Sequence, residues 1–119
     1  MKIDKSLLSG STVLLVLKML SEGEMYGYEM IQTLAKRSDD TFQLKEGTLY
    51  PILHELENKG CVESFLQQTP GGRQRRYYRI TDKGLQMLRE KTEEWQLFSG
   101  KVNDVVFGPA GAVPSPASL

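Results

Sequence analysis

The sequence holds one cysteine, Cys61, and one histidine, His54, among 119 residues. A lone cysteine excludes an internal disulfide and suits a reducing compartment. One Cys and one His cannot supply the ligand set of a Cys/His zinc site within one chain. No phosphate loop, metal set or Ser/His/acid series stands around His54, so nothing points to an enzyme or a cofactor. Long apolar runs are missing too. The longest, Val13–Leu17, falls far short of the ~20 residues that span a bilayer. The opening stretch, Met1-Lys2-Ile3-Asp4-Lys5-Ser6, carries an acid and no signal-peptide cleavage pattern, which reads as cytoplasmic. There is no excess of either charge, since 15 Lys plus Arg balance 15 Asp plus Glu. That balance excludes a polybasic membrane-surface protein and withholds the usual overall signature of a nucleic-acid binder.

What is present fits one soluble domain with a modest core, 39% hydrophobic and 25% charged. Leu7, Leu8, Val13, Leu14, Leu17 and Leu20 recur at helical spacing, predicting a first helix over Leu7–Ser21 that ends before Gly23. Its Val13–Leu17 run is apolar all round and so buried on more than one side, and Gly10 reads as a site of close helix approach. Glu22–Tyr28 reads as a turn with one or two residues of extended chain. A second helix follows over Tyr28–Arg37, with Ser38–Thr41 as a loop. In the third, Leu49, Ile52, Leu53 and Leu56 define one buried face. Pro51 belongs in a first turn, which sets the start near Gly47 or Thr48, and Gly60 is a natural stop. Val62–Gln68 and Arg75–Ile80 are two short strands around a Pro70-Gly71-Gly72 turn. Thr81-Asp82 then caps a long helix from Lys83 toward Val106. Its seam of Thr81, Leu85, Leu88, Thr92, Trp95, Ser99, Val102 and Val106 suits packing on another helix. From Gly108 the Pro- and Ala-rich tail reads as disordered.

Three helices, a hairpin and a long helix spell a mainly α (α+β) winged helix-turn-helix. The expected organisation is a DNA-binding domain over 1–80, a C-terminal dimerisation helix over 81–107 and a tail over 108–119. In that architecture the third helix enters the major groove and the hairpin reaches the flanking backbone or minor groove. The hairpin has suitable chemistry: Pro70 to Ile80 contains Arg73, Arg75, Arg76 and Arg79 and no acid. Arginines also protect a solvated hairpin edge from aggregation, so the run has two readings. A protein-binding winged helix that has lost DNA binding is the competing function, but it has no need of a cationic tip. Neutrality therefore hides an uneven distribution: residues 1–60 hold 7 bases and 9 acids, residues 61–119 hold 8 bases and 6 acids.

Three spaced blocks carry a resemblance. Tyr26-Gly27-Tyr28-Glu29 is the first. Gly47-Thr48-Leu49-Tyr50-Pro51, with Leu53, Leu56, Glu57 and Gly60, is the second. Gly72-Arg73, Arg76-Tyr77-Tyr78-Arg79-Ile80-Thr81 and Gly84 form the third. In this order they resemble the PadR family of bacterial transcriptional regulators, over about Leu7 to Phe98. The resemblance implies a winged-helix DNA-binding domain, a dimerising C-terminal helix and repression relieved by a small molecule. Room for a single C-terminal helix places the chain with the short subgroup.

Candidate DNA-facing residues follow. Thr48 sits where a helix N-terminus meets phosphate. Tyr50 can offer its hydroxyl to a phosphate or its ring to a thymine methyl, or pack structurally. His54 can bond a base edge or be an ordinary surface histidine. Lys45 is placed for the backbone, and Arg73, Arg75 and Arg76 on the hairpin. The family pattern brings Tyr28 near the backbone, while Tyr26 reads as packed against the hairpin or core. Tyr77 and Tyr78 alternate, so one faces inward. Trp95, on the long helix, reads as a dimer-core residue; some drug-sensing relatives stack flat aromatic ligands at the matching position. Leu15, Met19, Leu88, Phe98 and Val102 are the other candidates for that ligand or dimer surface. The expected partners are a second copy of the chain, a pseudo-palindromic double-stranded operator and a small aromatic effector, without a membrane.

Overall fold

A computed structural model describes residues 2–109 and shows eight elements in that span. They are α1 (Lys5–Ser9), α2 (Thr12–Ser21), β1 (Met25–Tyr26), α3 (Gly27–Arg37), α4 (Glu46–Asn58), β2 (Val62–Gln68), β3 (Gln74–Ile80) and α5 (Asp82–Phe107). The tail predicted to be disordered lies, from residue 110 on, outside the described residues.

The first predicted helix is two. Asp4 caps α1, its carboxylate accepting from the Ser6 amide at 2.9 Å and the Ser6 hydroxyl at 2.8 Å. Gly10 ends it, and Ser11 leaves helical geometry at φ −116° and ψ 0°. The hydroxyls of Ser11 and Thr12 donate to the Leu8 carbonyl at 3.1 and 2.8 Å, competing with the backbone ladder. No other helix within the chain lies against Gly10 among the described residues: a side chain there would meet only the carbonyls of Ser6 and Leu7 in its own turn.

In α2, Val16, Leu17, Met19 and Leu20 are buried, and Val13 and Leu15 pack against the same core. Met30 and Leu34 of α3, Leu49, Leu53 and Leu56 of α4, and Val62 and Tyr78 of the strands complete it. An ion pair of Glu22 with Arg37 ties the end of α2 to the end of α3.

Helix α4 starts at Glu46, earlier than predicted, so Pro51 stands inside the helix and not in its first turn. Its missing N–H leaves the Gly47 carbonyl without an i+4 donor, and the exposure of that turn lets water serve instead. The helix closes at Gly60 (φ +78°). There the Cys61 amide donates to Leu56 and the Gly60 amide to Glu57, at 2.9 and 3.0 Å, satisfying two terminal carbonyls.

The sheet has the order β1-β3-β2, all antiparallel. Ser64 lies opposite Tyr78, Phe65 opposite Tyr77 and Leu66 opposite Arg76; β1 adds Met25 and Tyr26 opposite Tyr78 and Tyr77. Tyr78 points inward, 6% exposed, and Tyr77 outward, as alternation requires. Burial pushes the Tyr78 phenol above its ordinary value.

Thr81 caps α5, its hydroxyl accepting from the Gly84 amide at 3.1 Å and donating to the Gly60 carbonyl at 2.6 Å. Gly84 lies against the Cys61 carbonyl, where any side chain would collide. Met87 and Leu88 pack against the core. The chain divides into two compact units, one through Leu88 and one from Arg89. In the second, Trp95 and Phe98 have ring centroids 6.1 Å apart. Leu97, Val102, Val105, Val106 and Phe107 are exposed along the same helix.

Candidate nucleic-acid interface

On α4 the burial pattern separates two faces. Leu49, Leu53 and Leu56 lie inside, while Thr48, Tyr50 and His54 are exposed. Lys45, also exposed, is the N-cap residue of the helix. The expected polar candidates of this helix are therefore all solvent-accessible, with Tyr50 also lying against Gly27.

A cleft of about 370 Å³ opens between the start of α3, α4 and the hairpin. Its walls are Tyr26, Gly27, Tyr28, Tyr50, Arg75, Arg76 and Tyr78. Four of the residues expected to touch DNA, Tyr28, Tyr50, Arg75 and Arg76, thus meet in one depression. Three separate blocks of the sequence supply them. The Tyr50 ring and hydroxyl cross the first turn of α3 at Gly27, in space that a Cβ would fill. Gly27, which the family pattern puts in a turn near the DNA backbone, is itself a wall of this cleft.

The four hairpin arginines are not equivalent. Arg79 is engaged, its Nε 3.1 Å from Glu63 and its guanidinium 4.8 Å from the Phe65 ring centre. Arg75 lies 4.5 Å over the Tyr26 ring, which meets Tyr77 edge-on at 5.4 Å. That stack holds Arg75 at the cleft without neutralising it. Arg76 Nη1 donates to the Ser64 hydroxyl at 3.1 Å, and that hydroxyl donates to Glu57 of α4 at 2.5 Å. Arg73 is exposed at the turn, with no side-chain partner among the described residues.

The residues expected at a ligand or dimer surface fall in different settings. Met19 is spent in the core at 2% exposure, with Leu15 and Leu88 packed beside it. Trp95, Phe98 and Val102 stay exposed in the second unit. Among the described residues no helix is long and apolar enough to cross a membrane.

Helices α2, α3 and α4, the last with an exposed polar face, followed by an arginine-bearing hairpin and a long helix, define a winged helix-turn-helix of the DNA-binding class. The solved structure of a transcriptional regulator from Clostridium thermocellum is similar at a TM-score of 0.80 and 33% identity, covering 87% of this chain and 98% of that one. A PadR-like transcriptional regulator from Bacillus cereus is similar at a TM-score of 0.74 and 35% identity, covering 86% and 97%. A transcriptional regulator of Mycobacterium tuberculosis is 36% identical over 75 residues, which are 63% of this chain and 66% of that relative. The model of the PadR-like transcriptional regulator family matches residues 16–90, and the chain belongs to that family. It is accordingly a transcriptional regulator, and PadR regulators are DNA-binding proteins without enzymatic activity.

Proposed function

We propose that the protein is a dimeric, sequence-specific repressor, released from its operator by a small aromatic, phenolic or drug-like ligand and acting in the cytoplasm. In this reading residues 1–80 form the DNA-binding domain and residues 81–107 the dimerisation helix. The carrying observation is the cleft, which sets two guanidinium groups and two exposed phenols beside the accessible face of α4. Guanidinium and phenol donors suit backbone phosphate, while Thr48 and His54 stand where base edges would pass. Support for a dimer comes from α5. An isolated helix presenting Trp95, Phe98, Val102 and Val106 to water is marginal, and a second copy would cover them. Twofold symmetry would then set two α4 helices about one DNA turn apart, ~34–36 Å, and favour a pseudo-palindromic site. The effector role rests on Trp95, a large flat ring left open beside Phe98.

The test combines two measurements on the full chain. A gel-shift titration uses the DNA upstream of its own gene, and light scattering gives mass at micromolar concentration. A retarded complex with a dimer is expected. A monomer would overturn the symmetric reading. Failure to retard either that DNA or a mixed-sequence duplex at low salt would overturn DNA binding.

A further inference from the structure

Glu57 sits on the helix proposed to read bases, yet its carboxylate turns away from the cleft toward the sheet. It accepts from the Ser64 amide at 3.2 Å and from the Ser64 hydroxyl at 2.5 Å. The second of these bonds commits the hydroxyl proton to Glu57. The oxygen of Ser64 therefore has only lone pairs to offer elsewhere, and Arg76 Nη1 donates to it at 3.1 Å. The direction of the chain is set: Arg76 to Ser64 to Glu57.

The register explains why these groups meet. Ser64 pairs with Tyr78, and Arg76 lies two residues back along β3, on the same face of the sheet. That face is the one on which Tyr78 is buried. Arg76 thus leaves the sheet toward α4 and enters the cleft walled by Tyr50 and Tyr28. An arginine side chain left to itself loses substantial rotamer entropy on engaging a partner. Here one of its nitrogens is already committed, and the rest of its donors remain available to an anion. The acid lies one hydroxyl behind the guanidinium, with no direct ion pair to Arg76 among the described residues, so it orients the cation without cancelling it.

We infer that Glu57 and Ser64 are positioning residues for DNA binding, a two-membered relay that presets Arg76 in the cleft between α4 and the hairpin. The inference rests on the proposed DNA-binding reading and adds to it residues that need not touch DNA. It also couples the reading helix to the hairpin through a polar connection.

A mutant cycle tests it, using the full chain and a labelled mixed-sequence duplex at low salt, with thermal unfolding of each variant as a control. Ser64→Ala is expected to weaken binding about three- to tenfold, the net worth of one ordinary hydrogen bond. In an Arg76→Ala background the same change is expected to have no further effect. Ser64→Thr, which keeps the hydroxyl, is expected to restore binding. Glu57→Gln keeps an acceptor oxygen and guards against misfolding; it is expected to bind within about twofold of the parent, whereas Glu57→Ala should match Ser64→Ala. Equal losses from Ser64→Ala in both backgrounds would show a hairpin merely anchored, and would overturn the relay. No loss in the parent background would overturn it as well. If the parent itself binds no duplex, the DNA-binding reading falls and the relay with it.

Discussion

The Tyr50 phenol occupies the space that a side chain on Gly27 would need, so the start of α3 and the exposed face of α4 are fitted to each other at one point. Gly27 is itself buried and helical, and its smallness answers to contact and not to backbone angle. Gly27→Ala should therefore push the Tyr50 ring aside, at a cost of at most about 1 kcal/mol because the obstacle is the exposed far end of a flexible side chain. In a Tyr50→Ala background most of that cost should vanish, because the obstacle is gone. Chemical denaturation of the four proteins measures the coupling. Equal costs in both backgrounds would reject it.

The hairpin arginines should separate by their neighbours. Replacing Arg73, Arg75 and Arg76 by Ala should weaken binding on any DNA sequence and flatten its salt dependence, with a loss of slope of about one per phosphate contact. Arg79→Ala should change affinity little, since Glu63 and Phe65 already hold that guanidinium. Fluorescence anisotropy across a salt series distinguishes them. An Arg79 effect as large as that of Arg73 would contradict the division.

Changes at Thr48 or His54 should alter which operator is preferred. A base contact is worth about 1–3 kcal/mol of discrimination, so Thr48→Ala or His54→Ala should redistribute affinity among single-base operator variants. Competition binding against such a panel gives the answer. A uniform loss on every variant would assign these residues to the backbone instead.

Trp95 fluorescence should respond to an effector. Titration with planar aromatic cations and with phenolic acids should give saturable quenching for at least one class. Absence of quenching by all of them would remove the stacking role and leave DNA binding untouched.

Alkaline stability should depend on Tyr78. Its buried phenol is held above the ordinary value of about 10, so the unfolded chain releases that proton first. The contribution is fully present below about pH 10 and is lost as pH rises through the higher folded value. Tyr78→Phe should flatten this alkaline decline and leave the slope at neutral pH unchanged. Urea midpoints over a pH series test it, and parallel declines in both proteins would reject it.

Local spacing made much of the fold legible. The 3–4 rhythm of Leu49, Ile52, Leu53 and Leu56 with Gly60 marked α4, and the Gly71-Gly72 turn marked the hairpin. The break at Gly10–Ser11 was hidden because apolar spacing runs through it, whereas side-chain hydroxyls binding back to Leu8 decide it. The start of α4 lies earlier than a first-turn Pro51 implies, because the exposed turn at Gly47 tolerates a proline inside the helix. Strand β1 supplies the expected one or two residues of extended chain in the Glu22–Tyr28 turn, but its pairing with β3 is too short for an alternation to show. The candidate site was legible as residue types: phenols, guanidiniums and a polar helix face. Its assembly was not, because Tyr28, Tyr50 and Arg76 belong to distant segments that only packing brings together. Glu57 figures in the second resemblance block, but its link through Ser64 to Arg76 carries no signal until the register of β2 against β3 is known.

The turn that ends α4 also receives the beginning of α5. Thr81 bonds the carbonyls of both Gly60 and Cys61, at 2.6 and 3.0 Å, and Gly84 abuts the second of them. The first turn of α5 is thus tied to the end of α4 by the Thr81 amide, the Thr81 hydroxyl and the close backbone approach at Gly84. Any tilt of that first turn would bear directly on Gly60 and Cys61, the residues through which α4 passes into β2.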